Sequence, residues 1–445
     1  MRDDLFARLD RIEMGDIPDY ERHLMVGTST LGLTLVEGKG VRVRDIRGRW
    51  YLDCTAQSWA LYLGHAHPEV AAAIAEQAKR LTHVDQSFHT RQRYALAKRL
   101  ADLAPGTLNK VSFTVGGGPA IEAAMKACLK QTPAAQNFVC LWDAFHGTTL
   151  GTMGASWIST KARGEYAGGS SFLALTRQWV RAPNPYCYRC YFGLKPESCG
   201  SRCAEFLKLT IEKGVNGPAA GVFIEPIQGS AGQIPCPKEY LAAVRRICDE
   251  LSVPLVFDEM QTFLRIGSTF AAEHFGVSPD IIAVGKGLGG GLPLAAIILS
   301  EDMAGFRPTA EELHTFANSA IAQAAALKML DVIERDEVLA NTRRVGAFLC
   351  KELRAMQGEF PEIGDVRGVG LHIGVEFVAD PDSKRPLPKE TREIRREALR
   401  RGAIFGIGGV RPNVLKIKPP LVISQAEAEE ALDALRGAMR AVLRA

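Results

Sequence analysis

Short apolar runs of four or five residues recur along the chain, separated by stretches with helical periodicity. This alternation restricts the fold more than any other feature. The runs occupy residues 111–115, 138–142, 221–225, 254–258, 281–284 and 295–299. Buried strands of this kind, interleaved with helices, are the pattern of a mostly parallel sheet covered on both faces. Residues 120–130 follow a glycine turn and read as a helix, and residues 237–251 read as another that leads into a strand. The first part differs, because residues 41–45 and 49–53 flank Arg47-Gly48 and read as a β-hairpin. Near the end, Ser424-Gln425-Ala426-Glu427 is a capping box. It opens a last helix with Leu432, Leu435, Met439 and Val442 on one face. A length of 445 residues accommodates a large core plus a smaller lobe. The expected class is therefore α/β. A large central domain over 59–333 is joined by a smaller α+β domain built from both chain ends, 1–58 and 334–445.

Bulk properties narrow the function. The formal charge of +4 is small for this length, and no basic run resembles a nucleic-acid-binding arm. The opening Met1-Arg2-Asp3-Asp4 has mixed charge and no apolar core of a secretory signal. No apolar stretch reaches membrane-spanning length, since residues 281–299 are interrupted by Lys286 and several glycines. A cytoplasmic protein is expected, with neither nucleic acid nor membrane as partner. Among ten cysteines, Cys187, Cys190, Cys199 and Cys203 fall together as C-x2-C…C-x3-C. That spacing can hold zinc or an iron–sulfur cluster. The blander reading is free thiols in a loop rich in turn residues, disulfides being disfavoured in the cytosol. No metal is expected.

Lys286 carries the strongest chemical signal. It ends the apolar segment Ile281-Ile282-Ala283-Val284 and sits among Gly285, Gly287, Gly289, Gly290 and Gly291. A desolvated lysine loses its proton more readily and becomes a nucleophilic amine, as a Schiff base requires. An isolated lysine of this kind is more often a solvated loop residue. Here, however, Glu225 and Asp258 also stand at strand ends. Ligands of open α/β sheets bind outside the carboxyl ends of the strands. Pyridoxal phosphate needs such a lysine, a carboxylate on its pyridine nitrogen, a phosphate cradle and a group stacked on its ring. Gly116-Gly117-Gly118-Pro119-Ala120, between a strand and a helix, suits the cradle. Phe145, just after another strand, suits the stacking group, with plain core packing as its alternative.

With these residues in place, the chain resembles the class III, fold-type I pyridoxal-phosphate aminotransferases over essentially its whole length. The resemblance rests on Leu63-Gly64-His65-Ala66-His67-Pro68, Phe145-His146-Gly147 and Glu225-Pro226-Ile227-Gln228-Gly229. It continues through Asp258-Glu259-Met260-Gln261-Thr262, Gly285-Lys286-Gly287 and Asn413-Val414-Leu415-Lys416. It implies a large domain with a mostly parallel seven-stranded sheet. It also implies that Lys286 forms the internal aldimine and shuttles the proton at the substrate Cα on the way to the pyridoxamine intermediate. Asp258 would hold the pyridine nitrogen, Gln261 the ring oxygen, and Gly117 and Gly118 the phosphate. Phe145 would stack on the ring, and Glu225 would support the site. Thr315 would reach the phosphate of a neighbouring subunit, which implies a homodimer with shared active sites, or a tetramer built from it.

The departures concern the substrate. The family's arginine and glutamate of ω-amino-acid members are replaced by Lys416 and Ser230, and lysine cannot grip a carboxylate at two points. Candidate substrate contacts are Trp59, Tyr62, Arg265, Arg411 and Lys416. The implied reaction moves an amino group from an amine or amino acid to a 2-oxo acid. The alternative is a racemase, epimerase or decarboxylating relative on the same fold. A non-catalytic relative is disfavoured by the retained Lys286 and Asp258. A dinucleotide-dependent dehydrogenase is disfavoured because no G-x-G-x-x-G follows the first strand.

Overall fold

A seven-stranded sheet runs through the centre of the molecule, a computed structural model that describes residues 4–25, 31–160 and 177–444. Its order is Leu108–Thr114, Ala295–Ser300, Ile281–Val284, Leu255–Asp258, Ala219–Ile224, Asn137–Leu141 and Trp179–Ala182. From Ile281–Val284 to Trp179–Ala182 every neighbouring pair is parallel. Ala295–Ser300 is antiparallel to both its neighbours. That single reversal turns Leu108–Thr114 back into the common direction. Its carboxyl end therefore lies at the same sheet edge as those of the five parallel strands.

All six apolar runs read from the sequence are strands of this sheet. Ile281–Val284, Leu255–Asp258 and Ala219–Ile224 are buried at every position, as expected where helices cover both faces. The seventh strand, Trp179–Ala182, was not anticipated. It lies at the sheet edge, and only its two end residues are buried, so its sequence carries no continuous apolar signal. The helix expected over 120–130 begins earlier, spanning Gly117–Gln131, so the glycine turn itself forms its first turn. The helix Lys238–Leu251 matches expectation.

The two chain ends share a small sheet. Arg42–Asp45 and Trp50–Asp53 pair antiparallel, as the hairpin pattern predicted, with Leu35–Lys39 outside them. Ala403–Ile404, from the last part of the chain, runs parallel to Trp50–Asp53. A second antiparallel sheet has the order Ile363–Val369, His372–Phe377, Val414–Ile417, Gly406–Gly408. It delivers residues 416–418 to the large domain. Among the described residues, no helix is long and apolar enough to cross a membrane.

The final helix, Gln425–Leu443, starts at Ser424. The Ser424 side chain accepts from the Glu427 backbone N–H, and the Glu427 carboxylate accepts in return from the Ser424 N–H at 2.9 Å. Leu432, Leu435 and Met439 are buried, and Val442 packs partly buried against the same core. Ser424→Ala should cost about 1 kcal/mol of stability. Urea unfolding would measure it, and a midpoint equal to that of the unsubstituted protein would show that the box does not hold this helix.

Candidate active site

Three adjacent strands bring the reactive groups together. Leu255–Asp258 pairs with Ile281–Val284 so that Asp258 faces Ala283, and with Ala219–Ile224 so that Phe257 faces Ile224. Glu225, Asp258 and Lys286 thus leave the sheet at one edge, one strand apart. They line a cavity of about 350 Å³ together with Gly117, Phe145 and Gln261. Lys286 has a left-handed backbone, φ +50°, just after the extended Gly285. Burial lowers its pKa, opposed by the nearby charges of Asp258 and Glu225. The amine is therefore more available as a free base than an ordinary lysine.

The two carboxylates have different tasks. Asp258 accepts from His146 Nδ1 at 2.7 Å and from the Met260 N–H at 3.1 Å. Burial alone would lower the pKa of His146, but the hydrogen bond and charge of Asp258 outweigh it and raise the pKa. Glu225 instead binds backbone, accepting from the N–H of Phe145 at 2.8 Å and of Gly229 at 2.9 Å. Burial pushes its pKa up to about 7, with His146 opposing and Asp258 reinforcing. Glu225 is therefore the anchor that sets the position of Phe145.

The opposite end of the cavity suits a phosphate. The helix Gly117–Gln131 has no side-chain cap at its start, which leaves the first-turn N–H groups of Gly117 and Gly118 for an anion. The space is tight on its outer side. A Cβ on Gly118 would come within 2.8 Å of Thr149 Cγ2, and one on Gly147 (φ +117°) within 2.8 Å of Thr152 Oγ1. A desolvated lysine, a histidine-supported carboxylate, an accessible aromatic ring and an uncapped helix start around one cavity are the set that pyridoxal phosphate needs. The residues present fit that cofactor.

Trp59 lies beside Lys286, its ring centroid 5.9 Å from the amine. Ala56, Gln57, Ser58 and Trp59 all have positive φ, 45°, 44°, 60° and 70°. Four such residues in succession cost on the order of 1–2 kcal/mol each. Asp53 holds the turn. It accepts from the Thr55 N–H and Oγ1 at 2.8 and 2.6 Å, from Gln57 Nε2 at 3.2 Å, and pairs with His65 Nε2 at 3.0 Å. The Trp59 ring then meets three amines, with Nζ of Lys418, Lys416 and Lys286 at 4.2, 4.6 and 5.9 Å from its centroid. Lys416 is buried, and burial together with the charge of Lys286 lowers its pKa to about 8.

The other expected residues lie further out. Arg265 is wholly buried, and its Nη1 donates to the Pro419 carbonyl at 2.7 Å while its guanidinium stacks on Tyr62. Arg265 was expected to touch substrate; these contacts tie its Nη1 to backbone carbonyls instead. Tyr62 is likewise buried, packed where a Cβ on Gly287 would meet its ring at 2.4 Å. Arg411 is exposed in a separate cleft of about 180 Å³ beside Asp143 and Tyr191. Thr315 is exposed and outside the cavity of its own chain. Cys187, Cys190, Cys199 and Cys203 are free thiols lining one small cavity of about 30 Å³.

Sequence reasoning missed two site residues. His146 stood in a quoted motif without a role, and only its contact with Asp258, 112 residues away, supplies one. Lys418 lies two residues beyond Lys416 and donates to Gln261 Oε1 at 2.5 Å.

Comparison with known proteins agrees with this geometry. The model of the class-III aminotransferase family matches residues 25–439. A leucine/methionine racemase of Thermococcus litoralis is 34% identical, over 92% of this chain and 90% of its own. A diaminobutyrate–2-oxoglutarate aminotransferase of Rhizobium meliloti is 35% identical, over 91% and 87%. Among solved structures, an amine transaminase from an uncultivated Pseudomonas species in its PLP-bound form superposes with a TM-score of 0.85 at 27% identity, over 94% and 98%. The chain belongs to the class-III aminotransferase family, has the fold-type I architecture, and is a pyridoxal-phosphate-dependent aminotransferase.

The raised pKa of Glu225 has a sign that can be checked. Its folded value, about 7, lies above the unfolded value of a glutamate, so the folded state holds a proton that the unfolded chain has already lost. The stability supplied by protonated Glu225 is present below about pH 4 and is lost as the pH rises through 7. Glu225→Gln should be less stable than the parent at pH 5, because one of the two backbone N–H groups loses its acceptor. The gap should narrow towards pH 8. Thermal unfolding of the cofactor-free proteins across this range would test it, and a gap that widens with pH would refute the assignment.

Proposed function

We propose that this aminotransferase works in the cytoplasm as a homodimer and moves an amino group from an amine or amino acid to a 2-oxo acid. The observation that carries the reading is the convergence of Lys286, Asp258 and Gln261 on the cavity that ends at Gly117 and Gly118. When bound, pyridoxal phosphate supplies the electron sink for the bond broken at the substrate Cα. Asp258, held by His146, would hold the pyridine nitrogen. The Gly117 and Gly118 N–H groups would hold the phosphate, Phe145 would cover the ring, and Gln261 would donate to the ring oxygen. Lys286 would be the covalent anchor of the cofactor, and its amine would hold and move the proton at the substrate Cα. The exposed Thr315 reaches the phosphate bound by a second copy.

Lys416 and Trp59 form the substrate wall. Lys416 has a pKa near 8, so it is largely charged at neutral pH, and it is buried where a carboxylate would be desolvated beside it. Ser230, which stands where some relatives have a masking glutamate, has its carbonyl bonded to the Gly409 N–H at 3.1 Å. Nothing acidic on that residue competes for Lys416. Arg411, in the outer cleft, is placed for the far end of a longer substrate. Arg265 and Tyr62 support this wall from behind. The sequence division at 58/59 and 333/334 belongs to the same reading.

A second reading is amino-acid racemisation, favoured by the similarity to a relative named leucine/methionine racemase. Absorbance separates the two. With an amino donor and no acceptor, stoichiometric conversion of the visible cofactor band to the amine form supports transamination. A persistent band, with substrate α-hydrogen exchanging into deuterated water, supports racemisation. Lys286→Ala should abolish either turnover, and full retained activity would overturn the site. Lys416→Ala should raise KM for the 2-oxo acid about 10-fold or more. An unchanged KM for every accepted carboxylate would exclude Lys416 as its anchor.

A further inference from the structure

Lys418 is a lysine with no exposed surface, directly behind the cofactor cavity. Its backbone is fixed on both sides. The Lys418 N–H donates to the Cys54 carbonyl at 2.9 Å, and the next carbonyl, of Pro419, accepts from Arg265 at 2.7 Å. Its side chain runs along the Trp59 ring and ends 2.5 Å from Gln261 Oε1. Lys416, Arg265 and Lys286 are the cations near it, His372 shares the same surroundings, and Glu225 is the carboxylate that bears on it. The hydrogen bond to Gln261 is the one this structure gives its amine.

That bond carries more information than its length. A glutamine amide has one oxygen acceptor and one N–H2 donor on the same carbon, and neighbours decide which way they point. A lysine amine has donors to offer in either of its common roles, and a positively charged one has nothing else. Lys418 Nζ donates to the amide oxygen, and an amine with two or three N–H groups against at most one lone pair favours the oxygen on that side. The Gln261 N–H2 is left for the opposite direction, and among the described residues no hydrogen bond takes it. Gln261 lines the cavity with Asp258 and Lys286. Gly229 gives the amide its room, since a Cβ there would lie 2.2 Å from Gln261 Oε1.

We propose that Lys418 is a positioning residue that locks the Gln261 amide with its N–H2 towards the ring oxygen of the cofactor. The inference rests on the reading that Gln261 meets that oxygen. Without the Lys418 amine, the amide is free to rotate by half a turn and present its own oxygen, replacing an attraction with a repulsion. A donor at the ring oxygen stabilises its ionised form, so the lock lowers the pH at which the visible band of the bound cofactor changes.

The test is a spectrophotometric pH titration of the cofactor-loaded protein with four variants. Gln261→Leu removes the amide and should raise the midpoint by about one pH unit, the scale of one hydrogen bond to a charged group. Lys418→Met removes only the amine in a similar volume and should raise it by about as much. In the Gln261→Leu/Lys418→Met double variant the shift should equal that of the single variants, because both act through one contact. Lys418→Gln keeps an N–H donor and should stay within about 0.3 pH units of the parent, which a merely space-filling role for Lys418 would not require. If Gln261→Leu shifts the midpoint and Lys418→Met does not, the lock is overturned while the role of Gln261 stands. If neither shifts it, the contact of Gln261 with the ring oxygen falls as well. Should Lys418→Met not fold, Lys418→Gln decides alone, since a shift as large as that of Gln261→Leu would overturn the proposal.

Discussion

Buried charge, paired mostly with backbone and dipoles, is the constraint around which this structure is organised. Lys286, Lys416, Lys418 and Arg265 converge on the aromatic rings of Trp59 and Tyr62, and among the described residues Asp258, Glu225 and Asp53 are the carboxylates that bear on them. Burying an ionised group costs several kcal/mol unless hydrogen bonds replace its water. Several of these ionisable groups are therefore tied to something specific. Arg265 is tied to the Pro419 carbonyl, Lys418 to the Gln261 amide, Glu225 to two backbone N–H groups and Asp258 to His146. These ties are also what give the loops around the cavity their shape.

Glu259 shows the same logic away from the chemistry. It is buried and accepts from the N–H groups of Ala271 and Ala272 at 2.5 and 3.0 Å and from Thr262 Oγ1 at 3.1 Å. It thereby closes the loop that carries Gln261 and Arg265 onto the start of the helix Ala271–Phe275. Burial still pushes its pKa up to about 7, against those three hydrogen bonds. The loop has a fixed course because its one interior carboxylate has three donors within reach.

The parts of the fold that were legible in the sequence are those whose signal is local. Strands buried on both faces read as apolar runs, and the charged residues at or just past the ends of three of them mark the edge where ligands bind. That was enough to find Glu225, Asp258 and Lys286. The Ser424 cap was equally legible because its partner stands three residues away. What stayed hidden depends on distant contacts. Trp179–Ala182 is an edge strand without an apolar run. His146 acquires meaning only beside Asp258. Arg265 reads as a solvent-exposed or substrate-binding cation until the carbonyls of residues 371 and 419 are seen to surround it. Residues 56–59 contain no glycine, so nothing in their sequence announces a left-handed turn.

That turn and the buried amines have a common consequence for ligand binding. Four residues of left-handed backbone are unfavourable in isolation and persist only because Asp53 and its partners over-determine them. Desolvated amines and an uncapped helix start also favour whatever anion can reach them. A dianionic phosphate at Gly117 and Gly118 would supply negative charge that the protein itself provides sparingly. Binding to the folded state alone then adds to stability in proportion to occupancy. The buried amines and the uncapped helix start are costly to fold without partners, and the same features favour an anionic cofactor. Stability and specificity are here two readings of one electrostatic arrangement.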